Sequence, residues 1–345
     1  MSASALTNIR LAELFACAAE TEKDQRRRAL RRAARRALMW PEEAWRMADA
    51  GLSLTDLAGV GPWISARMLE WLREPPDLAE PPAIRSGFRS YAECRAIVDA
   101  HPGWRDAVRS DLQMHTSETD GALPLAAMVD AAAALGRDVI AITDHSKGLA
   151  ITNGMDEARL ARQGEEIAAL NRRNMTPRVL RSIEMNLSPQ GIEDLERPAL
   201  RELDLVLGAF HSKLRSTEDQ TGRYLAALEN PTIHVLAHPR GRIWNFRLGL
   251  TADWARVAER SAELDTALEI DSYPDRQDLD VELLGHVKRA GGRVSIGTDA
   301  HNAEELRFLD IGIAAAISAG IPRERILNCL AADELIAWAR GRAGR

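Results

Sequence analysis

From Asp106 onward, short apolar runs alternate with longer stretches in which apolar residues recur every three or four positions. The short runs predict β-strands and the longer stretches predict helices. We place strands near 108–114, 138–143, 179–184, 204–210, 232–237, 266–271 and 293–298, and helices near 123–135, 156–171, 217–229, 251–263, 277–290 and 303–318. Strands that alternate with helices in this way pair in parallel through helical crossovers.

Polar residues that can bind metal stand where these predicted strands end. Five of the eight histidines follow an apolar run, and acidic residues occupy equivalent points: His115, His145, His211, His238 and His301, with Asp144, Glu184, Glu269 and Asp299. In a barrel of parallel strands all C-terminal ends open onto one face. Seven strands with such ends favour a closed or nearly closed barrel over a doubly wound sheet, which gathers its site at a switch point.

A single histidine is weak evidence for a metal site. His101, His234 and His286 fit an ordinary structural role, since His286 lies mid-helix and His234 precedes its strand end by four residues. The joint pattern is stronger, because burying a cluster of imidazoles and carboxylates without compensation is costly. Such ligands hold divalent ions, and mixed nitrogen and oxygen donors suit Mn²⁺, Zn²⁺ or Fe²⁺ alike.

The first hundred residues have a different pattern. Residues 5–50 read as helical, and 52–72 read as a short helix, a Gly59-Val60-Gly61 turn and a second helix that begins at Pro62. Prolines mark residues 73–87 as a linker. We therefore expect a helical domain over 1–75, a linker over 76–105 and an α/β barrel domain over 106–345.

Composition narrows the possible classes only modestly. The net charge of −6 does not indicate a nucleic-acid binder, but residues 23–36 carry eight Lys/Arg against one Asp. Three cysteines without CxxC spacing indicate reduced thiols and a cytoplasmic protein. No apolar run reaches the length of about 20 residues that a membrane span needs, so we expect no membrane association.

The strand-end segments also resemble the motifs of a known family. DLQMHTSETDG, AITDHS, SIEMNL, LGAFHSK, LAHPRGR, EIDSYPDRQDL and SIGTDAHN follow one another in the order of the PHP (polymerase and histidinol phosphatase) domain. They most resemble the C-terminal PHP domain of bacterial family X DNA polymerases, over about residues 106–340. The resemblance implies a distorted (βα)7 barrel that binds two or three Mn, Zn or Fe ions and cleaves phosphoesters.

The resemblance also implies a set of metal ligands. It comprises Gln113, His115, Asp120, His145, Glu184, His211, His238, Asp299 and His301. Glu184 matches a glutamate that bridges two metals, and Asp144 stands beside His145 as a supporting group. Gln113 departs from the usual His-x-His, and because an amide offers only a carbonyl oxygen or an N–H donor, the number of metals stays open.

Cationic residues after the strand ends are candidates to contact phosphate. Arg242 and Arg276 lie inside family-like motifs, and we expect them to act in catalysis with Glu184 and Asp144. Arg240 and Lys213 occupy similar loops. For each of these four cations the alternative is a solvated loop charge.

The segment LTDLAGVGPWISARMLEWL resembles a helix-hairpin-helix motif. The backbone of Gly59, Val60 and Gly61 could approach a DNA phosphate next to a helix N-terminus, without reading bases. The arginines of 26–36 either contact phosphates or form a solvated helix face. Between this motif and the barrel only about 35 residues remain, so a polymerase core cannot fit there.

Three functions remain open on the sequence alone. The first is a metal-dependent nuclease or phosphatase acting on DNA 3′ ends in repair, with DNA ends as partner. The second is a small-molecule phosphatase of the histidinol phosphatase type, which needs only the barrel. The third is a non-catalytic DNA-binding scaffold with a degenerate barrel, which only Gln113 supports. The exact substrate, the oligomeric state and any protein partner stay open.

Overall fold

The computed structural model describes residues 6–173 and 176–343. The sequence analysis placed the outer domain limits at residues 1 and 345 and the start of the first helical stretch at residue 5. These three positions lie outside the described residues. Seven strands pair in parallel in chain order: β1 Ser110–Asp111, β2 Val139–Ile142, β3 Arg178–Asn186, β4 Leu205–Ala209, β5 Val235–Leu236, β6 Ala267–Asp271 and β7 Val294–Gly297.

The last strand returns to the first. The Leu112 amide donates to Ile296 O at 3.3 Å, and the His115 amide donates to Ala300 O at 2.8 Å. The seven strands therefore form a nearly closed barrel, which confirms the predicted α/β architecture. Its strands are buried on both faces, as in all-parallel sheets, and this is why they read as apolar runs.

Helices surround the barrel: α7 Leu125–Ala134, α8 Glu157–Asn171, α9 Arg197–Arg201, α10 Thr221–Leu228, α11 Trp254–Glu263, α12 Val281–Ala290, α13 Leu309–Ala319 and α14 Ala332–Ala343. The sequence analysis missed α9 and α14. The helix predicted over 277–290 begins only at Val281, because the Asp280 side chain caps it by accepting from the Leu283 amide at 3.0 Å. The stretch predicted over 303–318 starts as a 3₁₀ helix, Ala303–Phe308.

The N-terminal region is helical: α1 Asn8–Thr21, α2 Asp24–Ala37, α3 Ala44–Asp49, α4 Pro62–Arg73, α5 Tyr91–Asp99 and α6 Trp104–Ala107. Leu54–Asp56 forms one 3₁₀ turn where the first helix of the hairpin was predicted. Phe15, Trp40 and Trp71 are buried in a core of their own. Burying each of these aromatic side chains stabilises this unit by roughly 1.5–3 kcal/mol.

Specific contacts hold this helical unit against the barrel. Trp244, from the loop after β5, is buried in the helical core. Arg85 donates to both Glu13 Oε2 at 2.8 Å and Asn245 Oδ1 at 3.0 Å. Arg35 Nη2 donates to Asp275 Oδ2 at 2.6 Å. The loops that follow β5 and β6 therefore lie against α1 and α2, while the exact domain boundaries stay a prediction.

Candidate metal centre

Ligand atoms from five strand ends converge at the C-terminal face of the barrel. They form three overlapping groups, and within each group the atoms lie within 4.8 Å of one another: His115, Asp120, His145 and His301; His145, Glu184 and His211; His115, Glu184 and Asp299. His115, His145 and Glu184 each belong to two groups. Shared members of this kind are what a site for several neighbouring ions requires.

Glu184, at the end of β3, lies at the middle of the cluster. Its Oε1 is 2.8 Å from His238 Nε2 and 2.9 Å from His211 Nε2. Its Oε2 is 3.3 Å from His115 Nε2 and 3.4 Å from His145 Nδ1. A fully buried carboxylate that meets four imidazoles has the surroundings of a bridging ligand.

Two aspartates extend the cluster on either side. Asp299 Oδ1 is 2.8 Å from His115 Nε2. Asp120 Oδ2 is 3.5 Å from His145 Nε2 and 3.4 Å from His301 Nε2. The imidazoles of His115 and His145 stack with ring centroids 4.5 Å apart. The cluster thus combines nitrogen and oxygen donors, a mixture typical of transition-metal sites.

Several buried polar atoms of the cluster have no hydrogen-bond partner among the described residues. They are His115 Nδ1, His145 Nδ1 and Gln113 Oε1. A buried polar atom without a partner costs about 1–3 kcal/mol, and a bound cation would supply the missing partner for all three. The residues present therefore fit a group of divalent ions.

The charges of the cluster shift its own ionisation. Burial alone would raise the pKa of Glu184, but the imidazoles of His145 and His238 hold it well below its ordinary value. Burial lowers the pKa of His238, yet the Glu184 carboxylate outweighs burial and raises that pKa to about 9. The cluster is electrostatically organised around Glu184, which stays ionised.

Gln113, the departure from the family pattern, lies inside the cluster. Its Nε2 donates to Glu184 Oε2 at 3.2 Å, while its Oε1 has no hydrogen-bond donor among the described residues. The side chain therefore fastens Glu184 and also presents one free carbonyl oxygen. An amide oxygen is a ligand that hard divalent ions accept, so the substitution keeps a donor at this point.

The ligand set that the family resemblance implies omits two buried carboxylates of β6, Glu269 and Asp271, although the sequence analysis noted Glu269 at a strand end. Neither oxygen of Glu269 has a hydrogen-bond partner among the described residues, and Asp271 Oδ2 has none either. Burial and the neighbouring charge of Asp271 raise the pKa of Glu269 well above its ordinary value. The two residues are two positions apart, so their side chains lie on the same face of the strand. This spacing is the sequence signal that could have added Asp271 to the site beside Glu269.

Asp144 is placed differently from the ligands. It accepts from the Thr116 amide at 2.8 Å, from Thr116 Oγ1 at 2.7 Å and from Gln163 Nε2 at 2.6 Å. Thr119 Oγ1 also donates to it at 2.5 Å. Asp144 thus fixes the loop that carries Asp120.

The two candidate arginines occupy different surroundings. Arg276 forms an ion pair with Asp299 and lies 3.8 Å from Asp271 Oδ2. Arg242 is buried and points to the linker, where Nη2 donates to Gly87 O at 3.1 Å and the guanidinium lies 3.9 Å from the centre of the Phe88 ring. The structure brings Arg276 to the cluster and does not bring Arg242 there.

Arg242 nevertheless contacts the same loop, because its Nε donates to Arg276 O at 2.9 Å. Arg240 pairs with Asp280 at 2.7 Å, and Lys213 is exposed.

Two cluster residues, His238 and Asp299, have left-handed backbones with φ of 49° and 51°. Such conformations cost of order 1–3 kcal/mol and concentrate at functional sites.

The Gly59-Val60-Gly61 turn lies away from these ligands, on the helical unit. Gly59 has a φ of +81°, and a side chain there would meet Arg36 Cγ at 3.0 Å. Val60 is buried, and Gly61 is the N-cap of α4 with open space around it. The turn is therefore accessible from solvent on its glycine side.

A nearly closed ring of seven parallel strands, with imidazoles and carboxylates gathered at their C-terminal ends, defines a barrel of the PHP type. No family model matches the chain. The chain is 32% identical over 264 residues to "DNA polymerase/3′-5′ exonuclease PolX" of Bacillus subtilis, which covers 75% of this chain and 45% of that protein.

The chain is also 26% identical over 229 residues to "Probable phosphatase YcdX" of Escherichia coli, covering 63% of this chain and 89% of that protein. A solved histidinol phosphate phosphatase from Lactococcus lactis, with zinc, L-histidinol and phosphate, has 15% identity and a TM-score of 0.44 over 61% of this chain and 93% of its own. The chain is homologous to PolX and to probable phosphatases of the YcdX kind, and it spans about half the length of PolX.

Proposed function

We propose that this protein is a metal-dependent phosphoesterase that hydrolyses phosphoester bonds at DNA 3′ ends. The observation that carries the proposal is the overlap of three ligand groups through His115, His145 and Glu184. A lone histidine–carboxylate pair would serve structure equally well. Overlapping groups whose buried nitrogens lack a hydrogen-bond partner among the described residues suit a cluster of cations.

Nine residues would hold the two or three Mn, Zn or Fe ions: Gln113, His115, Asp120, His145, Glu184, His211, His238, Asp299 and His301. Divalent ions bound there would lower the pKa of water and offset charge on the phosphoryl group. Glu184 would bridge, since both of its oxygens face imidazoles. Asp144 would act through the loop that it fixes around Asp120.

Arg276 is the residue that we assign to the substrate phosphate. Its guanidinium lies against Asp299, and 32% of the side chain is exposed. A planar guanidinium can contact two phosphate oxygens at once. Arg242 would position Arg276 through the hydrogen bond to its carbonyl.

Two features support DNA as the substrate rather than a small ester. The glycine turn of the hairpin is exposed and adjoins α2, where Arg36 reaches Gly59. The homologous B. subtilis protein is named both as a polymerase and as a 3′-5′ exonuclease. The proposal includes a role in DNA repair, in which such ends are processed.

A second candidate is a phosphatase of small molecules. It is favoured by the match to YcdX, which covers 89% of that protein. On this alternative the hairpin and α2 have no part in turnover. Removal of the hairpin contact would then leave every activity unchanged.

The deciding experiment offers the Mn²⁺-loaded protein 3′-recessed DNA, 3′-phosphate DNA and a small phosphomonoester. We expect hydrolysis of DNA ends and its loss in Glu184→Ala, together with lower metal content. Turnover of the small ester alone would favour the phosphatase. No product from any substrate, with metal confirmed bound, would refute both.

The cellular location also stays a proposal. No helix within 6–173 or 176–343 has the length and apolar character that crossing a bilayer requires. Cys17, Cys94 and Cys329 are free thiols. Free thiols fit a reducing compartment, and we therefore propose the cytoplasm.

A further inference from the structure

Helix α2 presents a row of arginines that the proposed chemistry does not use. Arg28, Arg31, Arg32 and Arg35 recur at helical spacing on its exposed face, opposite buried residues such as Leu30 and Ala34. Within the described chain, Arg28, Arg31 and Arg32 make no ion pair, and Arg35 bonds Asp275. Three of the four arginines in the row therefore carry a positive charge that no described carboxylate pairs with, and Arg35 is the exception.

An exposed aromatic ring lies across a cavity from this row. The cavity has a volume of about 580 Å³, and Arg31, Arg35, Trp244 and Phe246 are among its lining residues. Phe246 is 56% exposed, although the Arg215 guanidinium lies 4.6 Å from its ring centre. An exposed ring beside cations is what a base needs for stacking next to its own phosphate.

A second cavity is lined by the same arginines and by Glu305, which contacts a candidate metal ligand. It has a volume of about 410 Å³ and lies between the arginines of α2, Tyr273 and Glu305. Glu305 Oε2 accepts from the His301 amide at 2.8 Å, and Glu305 Oε1 accepts from Tyr273 Oη at 3.0 Å. The Glu305 carboxylate thus accepts two hydrogen bonds from within the protein. It lines the cavity on one side and contacts the candidate ligand His301 on the other.

We propose that these two cavities form a groove for single-stranded nucleic acid, with phosphates on Arg31, Arg32 and Arg35 and a base stacked on Phe246. The groove would lead a strand end to the metal centre. This proposal rests on the proposed function, and it specifies how the DNA substrate would be held. Bases in a duplex are stacked on one another, so a duplex cannot place a base on Phe246.

Glu20 also lines the first cavity, and Asp275 lies beside the second. Glu20 is 3.4 Å from Arg85, and Asp275 is bonded to Arg35. Both carboxylates therefore have cationic partners of their own. Arg31, Arg32 and Arg215 have no carboxylate partner among the described residues and remain free to meet phosphates.

The test measures binding of a fluorescent twelve-nucleotide oligodeoxythymidylate by anisotropy in the full chain without added metal. We expect Phe246→Ala to weaken binding about fivefold or more, the lower end of losing one base–aromatic stack. Phe246→Trp, which keeps an aromatic ring at this position, should bind the oligonucleotide as tightly as the unmodified protein. Arg31→Ala should reduce the slope of log Kd against log salt by about 0.7, the release from one phosphate of a single strand.

Matched controls lie at the opposite end of the barrel. Leu135 is an exposed apolar residue just before β2, and Arg178 is an exposed arginine that begins β3. Leu135→Ala and Arg178→Ala should bind like the unmodified protein. Unchanged binding in Phe246→Ala and Arg31→Ala, or equal affinity for a blunt duplex of the same length, would overturn the groove.

Hydrolysis of bis(4-nitrophenyl) phosphate by the Mn²⁺-loaded proteins separates the two proposals. If this ester is cleaved but Phe246→Ala binds the oligonucleotide normally, the groove is wrong and the phosphoesterase stands. If binding changes as expected but no ester is cleaved, the groove stands and the phosphoesterase is wrong. The control variants Leu135→Ala and Arg178→Ala should leave cleavage of the small ester within about twofold.

Discussion

Two histidines at the two ends of strand β5 have opposite fates in this barrel. His234, just before the strand, accepts from the Val206 amide at 2.9 Å. Burial and the charge of Arg342 lower its pKa to about 4. His238, just after the strand, faces Glu184 at 2.8 Å, and its pKa is raised to about 9. Only four positions apart in the sequence, His234 is a neutral structural imidazole and His238 is a member of the candidate metal centre.

Two buried amides repeat the same contrast. Asn328, near the starts of β1 and β7, accepts from the Ile296 amide and donates to Ser110 O and Ile296 O. Gln113, past the end of β1, leaves its carbonyl oxygen without a donor. The buried amide of Asn328 thus has its hydrogen bonds within the protein, whereas Gln113 keeps its carbonyl oxygen available. What distinguishes a residue of the candidate site is a polar atom left free to bind a ligand, more than the type of side chain that carries it.

The largest expected effect comes from breaking one side of the histidine pair. His238→Gln should reduce hydrolysis by about a thousandfold, because losing a metal removes several kcal/mol of transition-state stabilisation. His234→Gln, four residues away, should retain activity and metal content. Steady-state rates and elemental analysis check both. Equal losses in the two variants would abolish the distinction between the ends.

The next effect concerns pH and stability at His234. Its folded pKa of about 4 lies below the unfolded value near 6.5, so the unfolded chain binds the extra proton first. Stability from neutral His234 is present above pH 6.5 and is lost as pH falls towards 4, by at most about 3 kcal/mol. His234→Gln should flatten this part of the profile in urea unfolding. Parallel profiles would show that His234 does not titrate this way.

Asp144→Asn should have a smaller effect than loss of a ligand. The change weakens the hydrogen bonds that fix Thr116 and Thr119, and through them the loop of Asp120. Metal affinity should fall by about ten- to hundredfold, the usual range for outer partners of ligands. Competition with a fluorescent chelator measures it. Asp156→Asn, which caps α8 outside the cluster, is the control.

The smallest effect is expected at the hairpin. Gly61 has open space around it and an ordinary φ of −89°, so Gly61→Val is compatible with the fold. Blocking one backbone contact to phosphate should weaken DNA binding by about two- to tenfold, and hydrolysis of a small ester should not change. Loss of both would make the hairpin a structural turn only.

The barrel, and the convergence of the candidate ligands at one end of it, could be predicted from the sequence for a simple physical reason. Parallel strands buried on both faces appear as apolar runs, and their ends share one face, so His115, Glu184 and His301 could be placed together without coordinates. The direction of a long side chain in a loop has no such rule. Arg242 turns towards Phe88, whereas Arg276 turns towards Asp299.

Other features depended on tertiary packing and could not be read from the chain. β1 and β5 are only two residues long, since the polypeptide leaves the ladder early to carry Gln113 and His238 to the cluster. Trp244 reads as a loop residue but is buried among the N-terminal helices. Phe246, two residues later, stays exposed, and only the coordinates place it across from α2.

Anomalous diffraction from crystals grown with Mn²⁺ tests the central claim most directly. Separate peaks should lie between His115, His145 and Glu184, with none beside His234. A map without peaks in the cluster at millimolar Mn²⁺, or with manganese bound only elsewhere, would contradict the account.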